Sequence, residues 1–381
     1  MATNDDEDIS PADLQVPVQF ANYDDLTEAD MVIRLEEWKQ KACHVLIGLS
    51  ERVRLQQDGL DSSEHARVIY TVAAFYGDGP WVLAASREAA KGMFSLLKVD
   101  HRVLSEHIKP VFRANPHPSL NVETGRKLPQ DAGGPMGFLD YLEGQVWKSY
   151  PAIANVISWC LLQTDQGAID KLWHLFIPPI MTFLDDHVAK YKLQGVRLAA
   201  QLLDVAPPDL LRRTGIDILL RNSFKTALTF LHNPETPQLI RATVRAYLRL
   251  TALTTANGSE ARFEHLSSLL GDSIMGNVWV HAARDPDSLQ ASVEVLPEII
   301  GFLGIGTSRY LKGLIPQLVY TITPSAENGA QVIYKLSSLT ALGAVMDACA
   351  PRIRRWKSVI LDGLLRCWVE LAEQGPKETG A

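Results

Sequence analysis

Residues Leu172 to Leu211 read LWHLFIPPIMTFLDDHVAKYKLQGVRLAAQLLDVAPPDLL, and the spacing of their apolar side chains decides the fold. Leu172, Leu175, Phe176, Ile180, Phe183 and Leu184 recur at the three-four interval of one helix face. Trp173, Ile177 and Met181 form a second stripe beside the first. Such a helix is apolar around most of its girth and must be covered on several sides. Asp185 and Asp186 end it. After a polar turn, a second helix carries Leu193, Val196, Ala200 and Leu203 on one face, with Gly195 inside the packed pair. Pro207 and Pro208 then stop the chain.

Two helices in about forty residues match the period of a HEAT-type unit, and one such pair cannot bury its own surface without neighbours. HEAT repeats resemble this stretch in three details: a proline within the first helix, an acid at the turn and a Val-Arg pair in the second helix. Here these are Pro178 or Pro179, Asp186, and Val196-Arg197 followed by Ala200. The turn is longer than in generic HEAT units. The alternative is an ordinary helical hairpin in a globular bundle.

The pattern extends outward in both directions. Pairs are expected at 209–231 with 237–253, at 260–282 with 287–304, and at 307–322 with 327–349. Leu314-Ile315-Pro316-Gln317-Leu318 echoes Phe176-Ile177-Pro178-Pro179-Ile180 at a distance of 138 residues, three periods of about 46. A last helix, 351–372, carries Ile353, Trp356, Ile360, Leu364, Leu365, Trp368 and Leu371. No strand series is present. The expected fold is therefore all-α, a HEAT-like α-solenoid of antiparallel helix pairs over 138–373, with a C-terminal tail at 374–381.

Upstream, residues 1–25 are acidic and proline-punctuated and are expected to be a disordered tail, solvating or acting as an acidic docking or phosphorylation segment. Residues 26–112 read as an N-terminal helical region. The segment 113–137 has four prolines, four glycines and no periodicity, which predicts a linker or long exposed loop and a boundary between the two regions.

Of the 381 residues, 46% are apolar, enough for a sizeable core, and the formal net charge is −7. Nine acids and no Lys or Arg fall within residues 1–30, so the remaining body is nearly neutral. That argues against a broad face for nucleic acid. Cys43, Cys160, Cys349 and Cys367 show no zinc-site spacing and read as buried thiols of a reducing compartment. No secretory signal and no uninterrupted apolar run of membrane-spanning length is found, so a soluble intracellular protein is expected.

The chemical motifs are missing. There is no GxxxxGK[ST], HExxH or GxSxG, and Gly301, Gly304 and Gly306 have the wrong spacing for a dinucleotide loop. His101 and His107 do not share a helix face as a metal pair would. No enzyme activity, cofactor or metal is expected. Two basic features are candidates for partner binding. Arg241, Arg245 and Arg249 are spaced by four along one helix, suited either to solvent or to an acidic partner segment. Arg352, Arg354, Arg355 and Lys357 surround Trp356 at the start of the final helix, which also carries Trp368. A terminal helix has no following repeat, so this end either caps the array or docks another protein.

The run WHLFIPPIMTFLDDHVAKYKLQGVRLAAQLLDVAPPDLLRRTGIDILL, followed by LTFLHNPETPQLI, resembles fungal members of the Tel-two-interacting protein two family. WKSYPAIANVISWCLLQ upstream and RYLKGLIPQLVYTI downstream fit as well, so the resemblance covers roughly 138–372. It implies the third subunit of the TTT complex, a non-enzymatic co-chaperone scaffold, cytoplasmic and nuclear. The implied partners are the other two TTT subunits, both helical solenoids. Indirect partners are the phosphatidylinositol-3-kinase-related kinases, among them TOR and the DNA-damage checkpoint kinases, and the heat-shock chaperone machinery. No direct nucleic acid or membrane contact is implied. The rival from the residues alone is a karyopherin-like HEAT-repeat transport adaptor.

Overall fold

The computed structural model describes residues 14–55, 62–98, 101–134, 137–323 and 332–374. The described chain is all-α, with the serially packed helices of an α-solenoid. Its two-residue strands β1 (Leu120–Asn121) and β2 (Arg126–Lys127) pair antiparallel and form the one ladder among the described residues. Two compact units result: one holds the chain up to Asp186 with Gln201–Ile216, the other His187–Ala200 with the chain from Asp217.

The first unit begins with α1 (Ala29–Leu55), α2 (Ser62–Ala73), α3 (Ala84–Phe94) and α4 (Lys109–Arg113), followed by α5 (Gly137–Leu142), α6 (Ile153–Leu162) and α7 (Gln166–Asp185). Helix α7 is the first helix of the deciding stretch. Asp165 starts it by accepting a hydrogen bond from Ala168 N at 2.8 Å, an N-cap. Every side chain from Leu175 to Leu184 is buried. Pro178 and Pro179 lie inside the helix without ending it, and Thr182 Oγ1 donates to Pro178 O at 2.8 Å. Helix α8 (Ala189–Val205) follows, with Gly195 buried as expected, and the division between the units runs through it. Helix α9 (Pro208–Thr214) closes on Gly215, whose φ of 72° is the left-handed cap that favours glycine.

Two expectations need correction in this unit. Residues 14–25 do not belong to a disordered tail. Leu14 and Phe20 are buried, and Val18–Asp25 is 3₁₀-helical with a break at Asn22. Phe20 sits in an aromatic cluster, 5.4 Å from Trp38 and 5.5 Å from Tyr23 between ring centroids. These apolar anchors fix the segment, and an average over residues 1–25, with their seven acids, hides them. The acidic residues before Leu14 lie outside the described residues.

The described residues of 113–137 form a loop around the β1–β2 ladder, and no division between the units falls there. Those residues belong to the first unit. Asn115 Nδ2 donates to Tyr141 O at 2.7 Å and Glu143 O at 2.9 Å, and buried His117 bonds Asp185 Oδ2 through Nε2 at 2.9 Å. Polar side chains fix this loop, and hydrogen bonding of that kind leaves no periodic signal in the sequence.

The second unit contains α10 (Ile216–Ala227) from Asp217, α11 (Thr236–Thr254), α12 (Glu260–Ser268), α13 (Trp279–His281), α14 (Pro286–Glu294), α15 (Leu296–Leu303), α16 (Leu311–Ile322), α17 (Val332–Ala348) and α18 (Lys357–Gln374). Packing follows the order of the chain. Helix α11 meets α12, α14 and α15; α14 and α15 meet α17; α16 meets α17 and α18. Leu269–Val278 is a π-helical stretch between α12 and α13. The expected joint Thr323-Pro324-Ser325 falls beyond the described residues after Thr323. Val319-Tyr320-Thr321-Ile322 is helical, within α16.

One helical run, Pro286–Ile322, has the length and mean hydropathy (1.3) of a membrane span, which the sequence reading did not single out. It is interrupted at Gly304 (φ 54°), and Leu296, Ile299, Ile300, Leu314 and Ile315 are buried within the unit, as in a core helix. All four cysteines are free and buried.

Candidate protein-docking surface

Helix α18 follows Pro351 and a 3₁₀ turn, Ile353–Trp356. Ile360, Gly363 and Cys367 form its buried face, and the helix packs on α16. The approach is close. A Cβ added at Gly363 would lie 2.5 Å from Val319 Cγ1. The opposite face is also apolar, with Leu361, Leu365 and Trp368 at i, i+4 and i+7, and it is open: Trp368 is 70% exposed and Leu365 61%. Val369 and Leu371 flank this stripe and are exposed too.

Helix α17 extends the patch. Lys335 near its start and Glu370 near the end of α18 pair at 2.8 Å, which brings those two helix ends together. The exposed Val332, Ile333 and Leu336 lie around that pair on α17. Large apolar side chains clustered on two adjacent helices are uncommon on a monomer's surface and mark interaction sites.

Arg352, Arg354, Arg355 and Lys357 are exposed at the other end of α18, and none makes an ion pair among the described residues. They stand at a helix N-terminus, where the macrodipole is already positive. Helix stability does not call for cations in that place, whereas an acidic partner does. Trp356 is half-buried, so Trp368 is the better placed anchor. Arg366 is spent on Asp362, one turn earlier, at 2.9 Å.

The arginines of α11 are placed differently. Arg241 Nε pairs with Glu294, Arg245 Nε donates to Glu298 Oε1 at 3.0 Å, and Arg249 is exposed. Burial works to raise the Glu294 pKa, but hydrogen bonds from Arg241 and Gln290 outweigh it and hold the carboxyl below its ordinary value. The first two arginines thus tie α11 to α14 and α15 inside the unit.

Sequence reading found the two tryptophans and the basic cluster but missed the role of Leu361, Leu365, Val332, Ile333 and Leu336. For α18 the signal was available. Ile360, Leu364 and Cys367 make one stripe and Leu361, Leu365 and Trp368 a second, and one neighbouring helix covers only one of them. Among the described residues no three His, Cys, Asp or Glu side chains come together as a metal site would require.

The sequence model of the Tti2 family matches residues 68–326. TELO2-interacting protein 2 of Rattus norvegicus is 26% identical over 239 residues, which are 61% of this chain and 45% of the rat protein. The Homo sapiens protein of the same name is 25% identical over 233 residues, 59% of this chain and 44% of its own. The matched region thus spans less than half the length of these curated relatives. No solved structure matches significantly. The family match ends before α17, so the open apolar face rests on geometry alone.

Proposed function

Because this chain belongs to the Tti2 family, we propose that it is a scaffold subunit of the TTT co-chaperone complex, without catalysis of its own. Its relatives carry the name of a protein that interacts with TELO2. The same interaction is the one proposed here, with the remaining TTT subunit as the other partner. The complex then supports folding, assembly and stability of phosphatidylinositol-3-kinase-related kinases together with the heat-shock chaperone machinery, in TOR signalling, the DNA-damage response and telomere maintenance. Its place of action is the cytoplasm and nucleus.

The observation that carries a docking role is the second apolar face of α18. An exposed tryptophan beside leucines, with unpaired arginines at one end, has the composition of interface anchors. A partner helix with an apolar stripe and acidic residues at one end fits both parts.

The test is affinity purification from a native extract, read by mass spectrometry. Wild type is expected to bring down the TELO2 homologue and the remaining TTT subunit in fixed ratio. Trp368→Glu with Leu365→Glu is expected to lose at least one of them while remaining folded. Recovery of a small GTPase in its place, bound in a nucleotide-dependent way, would turn the reading toward the transport adaptor.

A further inference from the structure

The first unit contains a groove of about 420 Å³, within the range of ligand pockets. Its walls come from the segment Leu14–Val16, from α2, from the π-helical turn Val103–Ile108 with the start of α4, and from the chain entering α6. π-helical turns occur often at functional sites, and this one brings Glu106 and His107 to the groove. Tyr70 stacks on His107, with ring centroids 4.7 Å apart and planes inclined by 27°. Tyr150, Pro110 and Pro151 complete an aromatic and proline lining over the apolar Ala74, Ile153 and Val156.

Thr71 Oγ1 donates to Arg67 O at 2.9 Å, but several other polar groups in the groove are idle. The Tyr70 and Tyr150 hydroxyls, the His107 ring and the Arg67 guanidinium make no hydrogen bond to any described residue, and neither Arg67 nor Glu106 is in an ion pair. Burial lowers the His107 pKa, with Arg67 acting in the same direction and Glu106 against it, so the ring is neutral at pH 7. The groove therefore offers mostly donors: two phenols, a guanidinium and one imidazole N–H. A ligand matching them is rich in acceptors and presents an apolar edge.

From this lining we infer that the groove takes a proline-rich, polyproline II segment of a partner protein. In that conformation the main-chain carbonyls have no internal hydrogen bonds, and the proline rings supply the apolar edge. Grooves lined by aromatic residues recognise such segments because little chain entropy is lost on binding. The protein's own chain lines one wall, with Leu14 and Val16 buried and Gln15 exposed. Pro17 continues it at φ −60° and ψ 143°, the polyproline II region. Glu106 gives the ligand a direction by attracting a basic residue at one end.

The probe is a fluorescein-labelled peptide, Arg-Pro-Leu-Pro-Pro-Leu-Pro, titrated with the full chain and read by fluorescence polarisation. Saturable binding is expected, weakened at least about tenfold when alanines replace the prolines. Tyr70→Phe and Tyr150→Phe remove only a hydroxyl, leave the stack and lining in place, and are each expected to weaken binding about 2- to 10-fold. Glu106→Gln is expected to abolish the advantage of the arginine over an alanine at that position. Trp368→Glu, on a different surface, is expected to change nothing, which separates this site from the docking role of α18. The inference is overturned if no saturation is seen up to about 1 mM, if the alanine peptide binds equally well, or if the tyrosine variants bind as wild type does.

Discussion

Helices α7 and α18 are both apolar on more than one face, yet they end in opposite situations. In α7 everything from Leu175 to Leu184 is buried, including two prolines inside the helix. In α18 Ile360, Gly363 and Cys367 are buried while Leu361, Leu365 and Trp368 remain in solvent. An apolar stripe is a demand for a neighbour, and only the surrounding fold says whether this chain supplies it. Where it does, the stripe contributes stability. Where it does not, the stripe is left for another protein.

This contrast is easiest to break in the core. Phe176 is fully buried, and Phe176→Ala is expected to cost about 3–5 kcal/mol, measured as a shift in a urea or guanidinium unfolding midpoint. A loss under about 1 kcal/mol would show that α7 is less covered than described. Next in size is the closed side of α18. Gly363→Ala places a methyl against the stiff Val319 side chain, and overpacking of this kind costs about 1–3 kcal/mol in the same measurement.

The open side of α18 should respond in the opposite way. Trp368→Glu or Leu365→Glu is expected to leave stability within about 0.5 kcal/mol of wild type, because neither side chain has a core to lose. A large destabilisation by either would mean that the stripe is structural.

Thiol labelling makes the same comparison without mutation. Burial pushes the Cys160 thiol up to about 12, so at pH 8 it is protonated as well as inaccessible. Cys367 lies under a terminal helix covered on one side, and helices with few buried contacts open first. In the native protein Cys367 is expected to react with an aromatic disulfide reagent before Cys160 does. The reverse order would contradict the coverage assigned to α18.

Much of the fold was legible beforehand. The apolar periodicity of α7, its internal prolines and their echo at Pro316 in α16 sufficed for an all-α repeat fold, because helix spacing is a local property. Residues 113–137 read as a linker or long exposed loop because His117 and Asn115 act through hydrogen bonds, which have no period. Residues 14–25 read as part of a disordered tail because the acids before Leu14 dominate the composition of residues 1–25. The candidate site was half visible. Its tryptophans and arginines stood out by residue type, while Leu361, Leu365 and Leu336 look in sequence like any core leucine.

The sequence by itself determined that this chain forms helices apolar enough to require stacking, that four cations surround Trp356, and that it carries none of the standard catalytic motifs. Tertiary structure alone decided which stripes are covered, that Arg241 and Arg245 are held by Glu294 and Glu298, and that Tyr70, His107 and Tyr150 converge on one groove. The reason is physical. Periodicity along a helix fixes which side chains share a face, but coverage and pairing depend on segments far away in the chain, and no local pattern records where those segments arrive.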